Sequence, residues 1–282
     1  MKFQSLNSRA NILTEVMIFN MALSKEELIK LKLEYENEKE GKLGYYDCPI
    51  CRNKGVVYFE HLGEIQALQC DCVTIRKMAL ELEQCGVRKE IFERYKLDTF
   101  ETPEEWQVKV KGIFTKYLTE FKNDKDNFKN WLVISAQSGS GKSHLCTAIL
   151  KEMIINGKKG KYLLWRDEVP KLLVLKKSVH IYNQEKYDRA INELKNVDIL
   201  YIDDLLKNYN EKKLEELDFA YEIINNRYIN NKITIISSEL SKEQLEELDV
   251  AICGRINEKC KGYWVQLKYE KDRNYRMKDR RE

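Results

Sequence analysis

The run SAQSGSGKSH, residues 135–144, follows the apolar stretch 131–134 and opens a helical pattern, so it lies between a strand and a helix. A loop of this composition is a cradle for phosphate. Gly139 and Gly141 let the backbone turn its N–H groups inward, Lys142 reaches the β and γ phosphates, and the Ser143 hydroxyl can hold Mg²⁺. The candidate nucleotide contacts are Gly139, Ser140, Gly141, Lys142, Ser143 and His144. The usual pattern, GxxxxGK[ST], begins with glycine, and Ala136 stands there instead, which removes some backbone freedom and adds one methyl group. A flexible Gly/Ser loop without a ligand is the alternative reading.

A phosphate loop of this kind needs an acidic residue at the end of a neighbouring apolar strand. Residues 198–204, DILYIDD, supply it. Asp203 is expected to orient Mg²⁺, with Ser143 as the other protein ligand, and Asp204 to polarise an attacking water, with a shorter reach than glutamate would have. Two carboxylates that merely cap a strand or start a helix are the competing explanation.

Four of the eight cysteines form a second pattern. Cys48 and Cys51 are a C-x₂-C pair, and Cys70 and Cys72 follow after eighteen intervening residues as a C-x-C pair. Four thiolates can close a tetrahedral Zn²⁺ site. Residues 55–59 and 65–68 read as two short strands around His61, a hairpin too small to bury a core unaided, so a metal would supply the missing folding energy. His61 as a replacement ligand and a redox-active C-x₂-C pair remain open. Cys85, Cys146, Cys253 and Cys260 are scattered and read as structural.

The length of 282 residues suits one main domain plus an accessory segment. Lys and Arg total 49 against 46 Asp and Glu, so overall charge argues neither for nor against nucleic acid. Locally, Lys and Arg outnumber acids from 259 to 281, with Tyr263, Trp264, Tyr269 and Tyr275 interleaved. That run is either a single-strand contact surface or a solvated tail whose aromatics belong to a final strand. No stretch approaches the roughly 18 apolar residues of a membrane span, and the 16–23 stretch is interrupted by Asn20 and lacks a cleavage site. The expectation is a cytoplasmic chain with no membrane partner, where thiols stay reduced.

Capping boxes at Ser24 and Thr102 predict helices over 24–39 and from 102 onward, the second with Trp106, Val110, Ile113, Phe114, Tyr117 and Leu118 on an apolar stripe. Another helix is expected over 73–84. Beyond the phosphate loop the pattern alternates: helix 143–155, strand 161–165, helices near 167–177 and 184–194, strand 198–203, helix 211–230 and strand 233–236. A further capping box at Ser241 starts the next helix. Such alternation implies a parallel sheet wrapped by helices, with ligands at the carboxyl ends of the strands. One extra βα unit between the two motifs points to the larger group of phosphate-loop ATPases.

With a four-cysteine module ahead of these motifs, the chain resembles the DnaC/DnaI-type replicative helicase loaders, AAA+ ATPases, and in particular those carried by phages and prophages of low-GC bacteria. The likeness runs from about Cys48 onward and includes residues 94–100 (RYKLDTF), 164–167 (LWRD), 235–240 (IISSEL) and 254–256 (GRI). It implies an AAA+ core without a helical lid, since only 43 residues follow Glu239. It also implies ATP, Mg²⁺ and Zn²⁺ as cofactors, and self-association in which Arg255 reaches the γ-phosphate held by a neighbouring subunit. The partners it implies are the replicative DNA helicase, bound by residues 1–85, and single-stranded DNA, bound by an ATPase domain of residues 86–282. The 24–39 helix and the 16–23 stretch are candidates for the helicase surface or for packing on the zinc module. The family usually ends the strand at 233–236 with a polar sensor, often Asn. Here Ser238 and Glu239 are the candidates, and a carboxylate beside a γ-phosphate would slow hydrolysis. A helper ATPase of a transposition system and a non-hydrolysing nucleotide-switched adaptor are the rival functions.

Overall fold

The computed structural model describes residues 23–210 and 213–277, so most of the apolar 16–23 stretch, the start of the 211–230 helix and the end of the basic tail lie outside the described residues. The chain divides into two compact units, residues 1–77 and 78–282.

In the first unit, helix α1 (Lys25–Glu38) starts at the Ser24 capping box, in which Glu27 N donates to Ser24 Oγ at 3.2 Å and Ser24 N to Glu27 Oε2 at 2.8 Å. None of its residues is buried. Its Asn37 amide donates to Tyr58 O (2.7 Å) and accepts from Tyr58 N (3.0 Å), standing in for a missing strand partner. Tyr58 belongs to β1 (Val56–His61), which pairs antiparallel with β2 (Glu64–Gln69). Both turn residues, Leu62 and Gly63, have positive φ (52° and 76°), the backbone of a tight hairpin turn. Helix α2 (Cys72–Gln84) begins on the last cysteine of the pattern and spans the division between the units.

The second unit opens with α3 (Lys89–Arg94), a short helix inside what the sequence reads as a linker, and α4 (Glu105–Asn123). The α4 start corrects the expected cap. Glu104, not Thr102, is the N-cap residue, because Gln107 three residues on accepts its N–H at 2.9 Å. The expected stripe is buried at Val110, Phe114, Tyr117 and Leu118.

Then come β3 (Leu132–Ser135), α5 (Lys142–Ile155), β4 (Gly160–Leu164), α6 (Trp165–Lys176), α7 (Ile181–Asn196) and β5 (Ile199–Asp203). The chain continues through α8 (Leu214–Ile229), β6 (Ile233–Ser238), α9 (Lys242–Leu248), α10 (Val250–Cys260) and β7 (Trp264–Gln266). The five strands form one parallel sheet in the order β4-β5-β6-β3-β7. In space β6 separates the strand that feeds the phosphate loop from the one that ends in Asp203, while β4, the extra unit in sequence, lies at an edge.

Apolar residues of the strands face alternately into two layers. Leu132, Ile134, Tyr201 and Ile235 pack with α4 and α5, whereas Val133, Leu200, Ile202 and Ile236 pack with α6, α7, α8 and α10. Register aligns Ser135 with Ser238 and Leu164 with Asp203, so the carboxyl ends of β3, β6, β5 and β4 converge at one rim. β6 runs two residues beyond the expected strand. Ser237 O accepts from Leu205 N and Ser238 O from Ala136 N, which keeps both serines inside the sheet.

Candidate functional site

The phosphate loop connects β3 to α5 at that rim. Gly139 and Gly141 adopt φ of +79° and +88°, as a loop that turns its N–H groups inward requires. Space adds a second constraint, since a Cβ at Gly141 would come within 2.6 Å of the Phe100 ring. Ala136, by contrast, is absent from the positive-φ residues, so the substitution at the first glycine position meets no backbone strain. Its carbonyl, with that of Gln137, accepts from Lys142 Nζ at 2.8 and 3.0 Å. Burial pulls the Lys142 ammonium below its ordinary pKa, opposed by the carboxylates of Asp204, Glu239 and Asp203.

Asp203, at the end of β5, is buried under four hydroxyls. Ser143 Oγ donates to it at 3.1 Å, Tyr162 OH at 2.9 Å, Tyr201 OH at 2.6 Å and Ser237 Oγ at 2.5 Å. The two residues expected to hold Mg²⁺, sixty positions apart in sequence, are therefore in direct contact. Burial and then the Asp203 charge raise both tyrosines, which stay protonated donors. Neither tyrosine was singled out in the sequence. The period-2 alternation of β5, which puts Tyr201 on the face of Asp203, is the signal that marks one of them, and Tyr162 is its register partner on β4.

Asp204 adopts φ of 60° and faces the same cavity, its carboxylate held by Lys207 at 2.8 Å. Lys207 also meets Glu239 at 3.0 Å, and Lys142 lies 4.0 Å from it. Burial disfavours the Lys207 charge, but hydrogen bonds to Asp204 and Glu239 outweigh it and hold the ammonium above its ordinary pKa. Lys207 thus neutralises the carboxylate that would otherwise face a γ-phosphate. Ser238 is turned away from the phosphate loop, its Oγ donating to Leu205 O at 3.0 Å and accepting from Leu240 N. Its neighbour Ser237 is the serine on Asp203.

A cavity of about 560 Å³ lies against residues 138–144 and is walled on its far side by the 94–101 segment and by Trp106. His144 joins the loop helix to that segment. Its Nε2 is 2.8 Å from Lys96 O and 3.3 Å from Thr99 Oγ1, and its ring stacks on Tyr95 (4.8 Å) and meets the Phe100 ring edge-on (5.5 Å). Burial lowers its pKa, with the Lys96 carbonyl opposing, so the neutral ring is favoured. Ser140 donates to Gln137 O and is buried.

Arg255 does not line this cavity. On α10, it donates from Nε to Asn225 Oδ1 (2.9 Å) and from Nη1 to Ala251 O (2.9 Å), and its guanidinium lies over the Tyr221 and Tyr228 rings. In the basic tail, Tyr263 is buried against Tyr117 and the Trp264 indole donates to Ser135 Oγ, while Tyr269 is exposed. Part of that aromatic run therefore belongs to the last strand and the core.

In the first unit the four cysteines converge. The sulfurs of Cys48, Cys51, Cys70 and Cys72 lie within 4.8 Å of one another and are buried, with Cys48–Cys70 at 3.7 Å and Cys51–Cys72 at 3.3 Å. A tetrahedral zinc site with arms near 2.3 Å has sulfur–sulfur edges of about 3.8 Å, so the set fits that metal. Arg52 and Asn53 take positive φ in the turn after Cys51, which brings Gly55 N to Cys51 Sγ at 3.3 Å. Desolvation raises the Cys51 thiol, but the Gly55 N–H and the neighbouring thiols outweigh it and bring it to about 6, whereas Cys72, by desolvation, and Cys70, whose backbone hydrogen bond from Cys72 is outweighed by desolvation and its thiol neighbours, are raised. Asn53 Oδ1 accepts from Cys48 N (2.9 Å) and from the Arg76 guanidinium (2.7 Å), bracing the knuckle. His61 lies at the far end of β1 and is not part of the cluster.

A parallel sheet with a phosphate loop, an aspartate at the end of a second strand in contact with that loop's helix and an intervening strand defines the AAA+ class of nucleotide-binding ATPases. The bacterial DnaA ATPase domain model matches residues 94–260, and the chain belongs to that family. It is 30% identical over 240 residues to phage-like element PBSX protein XkdC of Bacillus subtilis (strain 168), spanning 81% of this chain and 85% of that one. It is 23% identical over 229 residues to the replicative helicase loader DnaC of Escherichia coli (strain K12), spanning 75% of this chain and 86% of that one. A solved structure of DnaI shares the fold, with a TM-score of 0.50 at 20% identity over 66% of this chain and 93% of the other. The DnaC/DnaI-type resemblance and the AAA+ fold read from the sequence are borne out. Among the described residues no helix is long and apolar enough to cross a membrane.

Proposed function

We propose that this chain is an ATP-dependent loader of the replicative DNA helicase onto single-stranded DNA, working in the cytoplasm at the start of replication. The observation that carries the reading is the Ser143–Asp203 contact beside a buried Lys142, within a chain whose likeness to a helicase loader runs through 86% of that protein. Residues 1–85 would bind the helicase through a structural zinc module, and residues 86–282 would bind ATP and the DNA strand. Bound Mg²⁺ would neutralise the charge of the β and γ phosphates, with Ser143 and Asp203 as its protein ligands. Lys142 would leave the Ala136 and Gln137 carbonyls for the phosphates, and Asp204 would hold the attacking water. Arg255, fixed by Asn225 and the two tyrosines, would complete the site of a neighbouring subunit and so tie hydrolysis to assembly. Glu239 at the rim would slow hydrolysis, while its pairing with Lys207 would leave a triphosphate able to bind, so that ATP would act chiefly as a switch between assemblies.

Co-elution of the zinc-loaded protein with its host's replicative helicase, with and without ATP and single-stranded DNA, tests this. A complex lost on deleting residues 1–85 is expected. Absence of a complex in every nucleotide state would refute the helicase-directed role.

A further inference from the structure

Among the described residues of the first unit, Arg76 is the only charged side chain that is buried, at 7% exposed. A buried guanidinium is costly unless its donors find acceptors. Nη1 donates to Leu43 O at 2.6 Å and to Gly44 O, and Nη2 donates to Asn53 Oδ1 at 2.7 Å. All three acceptors are neutral, so they satisfy hydrogen bonds without balancing the charge. Nε is buried and has no hydrogen-bond partner among the described residues. A buried cation with a donor to spare calls for an anionic acceptor.

Cys72 opens α2 and Arg76 lies four residues on, the spacing that sets two side chains a turn apart on one face. Desolvation raises the Cys72 thiol, and the Arg76 side chain is foremost among the groups that oppose it by favouring the thiolate. Two other sulfurs draw their donors from the backbone: Gly55 N–H meets Cys51 Sγ at 3.3 Å, and the Cys72 N–H meets Cys70. Lys54, a second cation near the cysteines, turns its ammonium to Glu36 O. Four thiolates around one divalent ion would leave two negative charges uncompensated, and a guanidinium beside them offsets one.

We propose that Arg76 is a positioning residue of the zinc centre, whose Nε donates to the Cys72 thiolate and whose charge makes the four-cysteine set an inert structural site rather than a thiol-reactive one. The proposal rests on the zinc reading above and extends it from the ligands to the group that sets their reactivity. A thiolate that accepts a charge-assisted hydrogen bond is a weaker nucleophile, because its lone pairs are lowered in energy. The same guanidinium ties Leu43 and Gly44, ahead of the first cysteine, to the helix that carries the last.

The test uses the full-length chain loaded with Co²⁺ or with Zn²⁺, for wild type, Arg76→Ala, Arg76→Gln and Arg76→Lys. The cobalt form is read by its sulfur-to-metal charge-transfer band, which reports only metal bound by thiolate. Loss of the N–H donor raises the sulfur lone pairs, so the band is expected at longer wavelength in Arg76→Ala and Arg76→Gln, with a smaller shift in Arg76→Lys. The zinc form is treated with iodoacetamide and metal release is followed with a chromophoric chelator. Release about tenfold faster than in wild type is expected for the two uncharged variants, and an intermediate rate for Arg76→Lys. Dispersed amide signals from the hairpin establish which variants are folded. An unshifted band or an unchanged release rate, in whichever of the three is folded, overturns the proposal. Wild type that takes up neither metal instead defeats the zinc reading on which it rests.

Discussion

Single side chains decide whether this pocket tolerates a triphosphate. Glu239 alone would repel the γ-phosphate, and Lys207 answers that charge while also holding Asp204. Lys207→Ala is therefore expected to weaken ATP binding about tenfold, and adding Glu239→Gln should restore most of it, as nucleotide titration of the single and double variants will show. Equal affinities in both would remove Lys207 from the account. His144 introduces a pH dependence of definite sign. Its folded-state pKa is below the ordinary 6.5, so the unfolded chain binds more protons in that window. The stability it contributes is complete above about pH 6.5 and is lost as pH falls through the folded value. Melts from pH 7.5 to 5 should drop more steeply for wild type than for His144→Gln. The phosphate loop and the Ser143–Asp203 pair were legible because each needs particular residue types at fixed spacing. Lys207 was not, because nothing local shows that the turn after β5, with positive φ at Asp204 and Leu206, folds it back between two carboxylates.

At the scale of elements, periodicity located every strand of the main sheet except β7, while the ends followed from pairing that sequence does not display. The 233–236 strand extends to Ser238 because β3 and the Leu205 amide continue its ladder, and that extension puts Ser237, rather than Ser238, on Asp203. Thr102 has the composition of a cap, yet α4 begins after Glu104, where Gln107 is available to the N-cap amide. The cysteine hairpin was readable from spacing alone, whereas its Asn53–Arg76 brace joins residues distant in sequence. Most hairpin residues are exposed, so the four sulfurs carry much of the burial in this unit. Zinc removal by a strong chelator is expected to unfold the hairpin, seen as collapse of its amide dispersion, while leaving the ATPase unit folded. Asn53→Ala should lower the stability of the zinc-loaded hairpin by about 1–3 kcal/mol, because it leaves the Cys48 amide and a buried guanidinium short of an acceptor. A metal content of zero in protein purified with zinc present would refute the site.

At the scale of the whole molecule, the proposed pairing of a zinc unit with a nucleotide-gated ATPase would make loading a property of an assembly. Arg255 is buttressed but outside its own cavity, so Arg255→Ala should leave ATP affinity unchanged and reduce turnover at least tenfold, with the loss visible only at concentrations where wild-type activity rises with self-association. An equal loss at all concentrations would place its effect within one subunit. The central claim is that ATP held at residues 139–144 lets this chain place a helicase on a strand. It is tested most directly by helicase retained on closed circular single-stranded DNA, which offers no free end. The expected result is retention that requires this protein and ATP and disappears with Lys142→Ala. Retention that is equal without the protein, or undiminished by Lys142→Ala, would contradict it.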